Sequence, residues 1–298
     1  MKRTVLISKT KFIARQVMGT AFFRILLLLL LESGTAIALS LVFSKVATRI
    51  APEAVIRFWV FEIHWPAVLL TLAAQVFQLP LTLGLTEYLI KLVRRQEPKV
   101  ADVFLWYSDG EKLKRVFSYF LYTAAFTVIE FPLRTASGNY LLDSVNSLLA
   151  SARAQLQSGA ATVTLDGSQI NAVACWVSVA ALLVFFYLNT RLLLTRFFVA
   201  DSSTPNAFQA ALCSWRVTGG HVLTYALLML SFAGWYLACA FTMFLAAMYM
   251  VPYVQMSVVI FTEYIRADYA MRHISEAPAE DADESDDDNA DGGEEGRC

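Results

Sequence analysis

Four acidic side chains, Glu32, Glu62, Glu87 and Glu130, stand in or beside long apolar stretches of this sequence. A carboxylate at membrane depth is costly, so it binds a cation, relays a proton or answers a partner residue. Glu130 is the sharpest case. It lies four residues before Arg134, which offers an i,i+4 ion pair on one helix face; a substrate- or proton-binding role is the other reading. Glu32 sits near the middle of an apolar run with no obvious in-helix partner, and a partner on another helix could satisfy it. Glu87 can pair with Lys91 one turn on, Glu62 and His64 belong at an outer interface between Trp59 and Trp65, and His221 reads as a headgroup-level anchor.

No other residues assemble into a recognisable reaction centre. His64, His221 and His273 lack metal-ligand spacing. Cys175, Cys213, Cys239 and Cys298 are widely and irregularly spaced, with no C-x-x-C, and Cys175 and Cys239 read as small hydrophobes. Gly-x-Ser-x-Gly, phosphate-loop and H-E-x-x-H patterns are absent. The sequence therefore predicts no catalytic residues, no cofactor and no metal, and a protein that is not an enzyme.

The elements that must position the carboxylates follow from composition. Hydrophobic residues make up 57% of the chain and charged residues 16%, against about 45–50% and 25% in soluble domains. The apolar residues form runs instead of alternating patterns, and a helix of roughly 20 such residues crosses a bilayer. The expected fold class is all-α, a polytopic helical membrane protein of about six spans with interfacial amphipathic helices. The spans fall at about 22–43, 66–90, 116–133, 170–188, 222–242 and 246–265. Pro80 should bend the second and Pro132 should end the third. Residues 134–168 read as an outer loop with a short helix at 141–157, and the uncharged stretch 222–262 suits two helices joined near 241–247.

Charge sets the orientation. With both termini inside, seventeen Lys/Arg fall in inner segments and five in outer ones, Lys45, Arg49, Arg57, Arg134 and Arg153, as short-loop topology bias requires. The inner set includes Arg94, Arg191, Arg196, Arg216 and Arg266. Basic residues thus serve topology, and nucleic-acid binding is not expected. Residues 1–21 form a basic cytoplasmic segment in which Val5, Ile7, Phe12, Ile13 and Val17 lie among cations, and residues 100–115 place aromatics beside Lys112, Lys114 and Arg115; both suit the inner interface. A helix at 205–217, started by Thr204 as N-cap and Pro205, puts Phe208, Ala211, Leu212 and Trp215 on one face toward the membrane. The run at 22–43 is too long for a cleaved leader. Residues 276–298 hold eleven Asp/Glu and one Arg and no aromatic or branched aliphatic residue; the whole segment 267–298 is expected to be a disordered acidic cytoplasmic tail with a solubilising role.

Residues 187–265 carry a more particular pattern: Ser214, Gly220 and His221, then Leu230, Ser231, Phe232, Gly234 and Trp235, then Pro252 and Tyr253. In order and spacing this resembles a bacterial integral-membrane family known as domain of unknown function 975. The family's Met-Lys before Gly-His is replaced here by Val217, Thr218 and Gly219, and its Gly-rich turn by residues 243–248. The resemblance implies a multi-pass protein of the bacterial cell membrane and no particular activity. Read physically, Ser231, Gly234 and Ala238 are small residues at three- and four-residue spacing that let another helix approach, Trp235 lies within the span, and Pro252 permits a bend before Tyr253.

The functional expectation is a non-enzymatic membrane module that organises or regulates envelope components, with the lipid bilayer and a membrane-protein partner as its contacts. The alternative is a small-solute or lipid transporter or transport accessory subunit, motivated by Pro80, Pro132, Glu32 and Glu130.

Overall fold

In hydrocarbon each backbone N–H and C=O must find its partner within the segment, so apolar runs of this length become helices. The computed structural model describes residues 3–50, 55–58, 61–158, 172–201, 206–242 and 245–276. They form α1 (Arg3–Ile50), β1 (Val55–Phe58), β2 (Phe61–His64), α2 (Trp65–Val93), a 3-10 helix (Val100–Tyr107), α3 (Gly110–Gln157), α4 (Ala172–Arg191), α5 (Thr195–Ala200), α6 (Ala207–Val217), α7 (Val222–Leu230), α8 (Ala233–Phe241) and α9 (Ala247–Glu276). The chain is almost entirely helical; the exception among the described residues is the antiparallel hairpin, which pairs Val55 with His64 and Phe58 with Phe61.

Four helical stretches are long and apolar enough to cross a membrane: Arg3–Phe43, Val68–Val93, Val173–Ala200 and Val222–Phe241. They overlap four of the six expected spans. The expected third span lies inside α3, which does not stop at Pro132 but runs on to Gln157. The Ala- and Leu-rich stretch 141–157 has strong helix propensity, so one lost backbone bond at a proline does not end the helix: the short helix expected at 141–157 is present, and residues 134–140, expected as loop, join it to the span. The last expected span forms the first part of α9, which continues to Glu276.

Two breaks interrupt the helical stretches. Ala21 (φ −131°, ψ 15°) leaves helical geometry within α1, at the junction between the basic segment and the apolar run. Helix α8 ends at Phe241 and α9 begins at Ala247, inside the uncharged stretch. The start of α6 differs from expectation: its N-cap is Asn206, and Thr204 and Pro205 lie outside the described residues. The capping role is taken from a distance, because the Ala207 N–H donates to Ser118 Oγ at 3.0 Å. Residues 267–276, expected in the disordered tail 267–298, are instead the last turns of α9, and the acidic residues from 277 onward lie outside the described residues.

The chain forms two compact units. One comprises Met1–Ser33, Leu79–Tyr119 and Thr190–Cys298, the other Gly34–Gln78 and Phe120–Asn189. In the first, the buried stripe of α1 is Leu6, Thr10, Ala14, Met18, Ala21, Ile25 and Leu28, a helical repeat, while Val5, Phe12 and Ile13 face outward. The α2 side of this unit buries Leu83, Tyr88, Leu89 and Ile90. Trp106 of the 3-10 helix is fully buried, and it comes close to Gly84, where a Cβ would collide with the Val103 carbonyl oxygen and meet Val103 Cγ1 at 2.9 Å. Gly84 is the residue that lets the 3-10 helix lie against α2. Helix α6 buries its Ala207, Ala210, Ala211 and Ser214 side and exposes Phe208, Leu212 and Trp215; the bulky stripe faces outward, and Ala211 belongs to the inner face. The second unit is laced by polar bonds between helices: Gln75 Nε2 donates to Thr127 Oγ1 at 2.8 Å and Thr35 Oγ1 to Gln78 Oε1 at 3.3 Å.

Candidate functional site

Within the first unit, four helices bring polar side chains to one cavity. Glu32 comes from α1, Thr82 and Thr86 from successive turns of α2, Arg196 from α5 and Gln255 from α9, with Leu85, Leu89, Phe197 and Val259 as apolar walls. The cavity volume is about 40 Å³, more than the ~10–15 Å³ one water needs. Thr82 Oγ1 donates to Glu32 Oε1 at 2.8 Å, so the carboxylate finds a hydroxyl on a neighbouring helix. Thr86 Oγ1 donates to the Thr82 carbonyl at 2.7 Å, one turn back, leaving its own oxygen lone pairs for other donors.

Arg196, whose charge suits an inner connector, lines this cavity. Its guanidinium stacks over the Phe197 ring at 4.8 Å, and its Nε is buried with no hydrogen-bond acceptor. Among the described residues no carboxylate lies within ion-pair distance of Arg196. The sequence signal was there: Arg196 interrupts the apolar stretch 192–200. Thr82, Thr86 and Gln255 carried a weaker one, polar residues within spans.

One to two turns further along the same helices lies a lattice of opposite charges. Arg94, just past the end of α2, donates to Asp201 Oδ1 at 2.6 Å and Oδ2 at 2.8 Å, and to both oxygens of Glu263 at 3.2 Å. Arg266 joins the same two acids, with Asp201 at 2.8 Å and Glu263 at 3.1 Å. Burial works to raise the Asp201 carboxyl, but the hydrogen bonds from Arg94 and Arg266 outweigh it and hold the group below its ordinary value. The Asp201 bond is also the main influence that raises Arg94. Thr86 to Arg94 is eight residues, about 12 Å along a helix, so the lattice ties the ends of helices whose neighbouring turns form the cavity.

Two further charged groups stand nearby in sequence. Glu87 Oε2 accepts from Trp106 Nε1 at 2.6 Å and from Lys112 Nζ at 2.8 Å, while Oε1 pairs with Lys91 at 2.7 Å. The expected Glu87–Lys91 pair is thus one arm of a hub that fixes the 3-10 helix. His221 Nε2 lies 3.3 Å from Asp268, which also holds Arg272 at 2.6 Å. Burial, the largest influence, lowers the His221 imidazole below its ordinary value, with Asp268 acting against it. His221 is therefore tied to α9, beyond the anchoring expected of it.

The other expected residues are placed as follows. Glu130 belongs to the second unit and accepts from Asn189 Nδ2 at 3.0 Å; it is not among the residues that line the cavity with Glu32, and the Arg134 side chain lies outside the described residues, as do those of Trp59, Glu62, His64 and Trp65. The Ser231 carbonyl accepts from Lys11 Nζ at 3.0 Å, which puts a cation at the end of α7 where the helix dipole favours one. Around Gly234 a Cβ would meet nothing within 4 Å. Among the described residues, then, no helix of this chain comes close to the stripe of Ser231, Gly234 and Ala238 at its glycine. Trp235 stacks on Tyr249 with centroids 5.7 Å apart, Tyr249 on Tyr253 at 6.0 Å, and Phe232 meets Tyr253 edge-on at 5.4 Å. Pro252 lies in the first turns of α9 and Arg15 approaches the Tyr253 ring at 5.4 Å. Ser214, from the same motif, accepts from the Leu194 N–H at 3.1 Å and donates to the Arg191 carbonyl at 2.7 Å, which joins α6 to the link between α4 and α5.

Among the described residues no three His, Cys, Asp or Glu side chains gather to hold a metal ion. The fold and site together define a helical protein with four membrane-length apolar stretches and a small polar cavity. No family model, curated protein or solved structure matches the chain, so the likeness to domain of unknown function 975 rests on the quoted residues alone.

Proposed function

We propose that this chain is a small-solute transporter or transport accessory subunit whose solute site is the cavity lined by Glu32, Thr82, Thr86, Arg196 and Gln255. The observation that carries the reading is the convergence of polar side chains from four helices at one small cavity. Polar groups at membrane depth are expensive unless they serve one another or a ligand. In this reading the chain crosses a bacterial cell membrane six times, with α3 near 116–133 and α9 near 246–265 adding two crossings to the four apolar stretches. Both termini lie on the cytoplasmic side, as the one-sided distribution of Lys and Arg supports. It catalyses no chemical step. Uptake into proteoliposomes carrying the purified chain tests the proposal: Glu32→Gln and Arg196→Gln should each abolish most of the flux, and flux indifferent to both rejects it.

A second reading has one observation in its favour. The exposed small-residue stripe with open space around Gly234 suits a helix from another membrane protein, as a module that organises or regulates envelope components would require. Co-purification of a stoichiometric partner that is lost on Gly234→Leu would support it; a chain that purifies alone from its native membrane speaks against it.

A further inference from the structure

The two charges that line the cavity select the kind of solute it takes. Arg196 brings a guanidinium to the cavity, its Nε has no acceptor, and no carboxylate among the described residues pairs with it. A guanidinium in that position lacks an anionic oxygen, which a ligand can supply. Glu32, positioned by Thr82, lines the same cavity. A simple anion drawn to Arg196 would face the Glu32 carboxylate, and a simple cation drawn to Glu32 would face Arg196. A molecule that carries both charges a few bonds apart meets neither penalty. Thr86 and Gln255 add neutral hydrogen-bonding groups, and Leu85, Leu89, Phe197 and Val259 leave no further charge to answer. A cavity of about 40 Å³ has room for small charged groups and little more.

We infer that the cavity binds a small zwitterion, with the anionic oxygen on Arg196 and the ammonium on Glu32. This chemistry has two sources: a free amino acid of the smallest kind, or the phosphoethanolamine end of a lipid. The inference rests on the cavity being the solute site proposed above, and it adds the substrate class.

The test uses the full-length chain purified in a non-ionic maltoside detergent, with thermal unfolding followed as glycine or phosphoethanolamine is titrated. One of the two should raise the unfolding midpoint saturably. Acetate and methylammonium, each bearing one of the charges, should do so at least about tenfold more weakly, the factor expected for one lost charge-assisted hydrogen bond. Saturation by glycine identifies a free amino acid; saturation by phosphoethanolamine alone identifies the headgroup. Glu32→Gln and Arg196→Gln should weaken the response by a similar factor. Arg196→Lys guards against a folding defect, since it keeps the charge but not the forked donor geometry: it should elute as a monodisperse peak and still respond more weakly than the wild type. If neither zwitterion shifts the midpoint, or if acetate matches glycine and Glu32→Gln changes nothing, the inference is overturned. Glu32-dependent uptake of another solute without zwitterion binding would sink the substrate class and leave transport standing. Saturable binding without uptake would do the reverse.

Discussion

Arg94 grips Asp201 through two parallel hydrogen bonds, Nη1 to Oδ1 at 2.6 Å and Nη2 to Oδ2 at 2.8 Å. The pair joins the residue after α2 to the residue after α5, 107 positions apart. Forked pairing of this kind adds geometric specificity to its energy, and Arg266 and Glu263 complete a square of alternating charge. Asp201→Asn should therefore destabilise the chain by about 1–2 kcal/mol, between an exposed ion pair and a fully buried one, because it leaves two arginines sharing one acid. Thermal unfolding in detergent measures it. Arg94→Lys should cost part of that amount, since an ammonium cannot span both oxygens.

Acid should reveal the same lattice. The Asp201 carboxyl titrates below its ordinary value of 3.8 in the folded chain, so its contribution to stability is present above that value and is lost as pH falls through the depressed one. Asp201→Asn should remove this component, and the difference in unfolding midpoint between variant and wild type should shrink as the pH drops below 3.8. A difference that stays constant down to the acid limit would contradict the assignment.

His221 predicts a second, milder pH dependence. Burial lowers its imidazole below the ordinary 6.5, against the pull of Asp268 and with Arg272 and Arg3 acting in the same direction as burial. The folded chain therefore holds the proton less readily than the unfolded one. The stability that His221 contributes is complete above pH 6.5 and declines as pH falls below it. His221→Gln, which cannot charge, should flatten unfolding midpoints measured between pH 7 and 5, values chosen about the reference imidazole pKa.

Two glycines should behave oppositely. Gly84→Ala forces a methyl into the Val103 backbone and to within 3.1 Å of Trp106 Cδ1, so it should destabilise by roughly 1–3 kcal/mol, the range for overpacked interiors. Gly234→Ala meets nothing within 4 Å and replaces a poor helix former near the start of α8, so it should stabilise the isolated chain by up to about 1 kcal/mol. Unfolding midpoints compare the two; a loss of stability in Gly234→Ala would show that something covers that face in the purified protein.

Glu87 should be sensitive to neutralisation. Glu87→Gln keeps the shape but removes the charge that Lys91 and Lys112 share and weakens the bond from the buried Trp106 indole. A loss of about 1–3 kcal/mol is expected where cations lose a partly buried partner. A red shift in the emission of a variant that keeps Trp106 as its sole tryptophan would report the loosening of the 3-10 helix.

How much of this was legible in the sequence depended on range. Helical character, the apolar stretches, the break beside residue 22, the division of the uncharged stretch between α8 and α9 and the Glu87–Lys91 pair depend on neighbours within a few turns, and run length, charge and i,i+4 spacing report such relations directly. The end of α3 was misplaced because a proline is a local signal, whereas helix continuation sums propensity over many residues. Glu32 could be singled out as a costly carboxylate, but its partner Thr82 is 50 residues away and no pattern in one sequence pairs them. Arg196 was read as topology because position along the chain does not reveal which way a side chain points once its helix packs. The sequence by itself determined that this protein is helical and suited to hydrocarbon. Tertiary structure alone decided that Glu32 shares a cavity with Arg196 while Glu130 answers to Asn189, since the meeting of distant polar groups is set by how helices pack and not by what each helix contains.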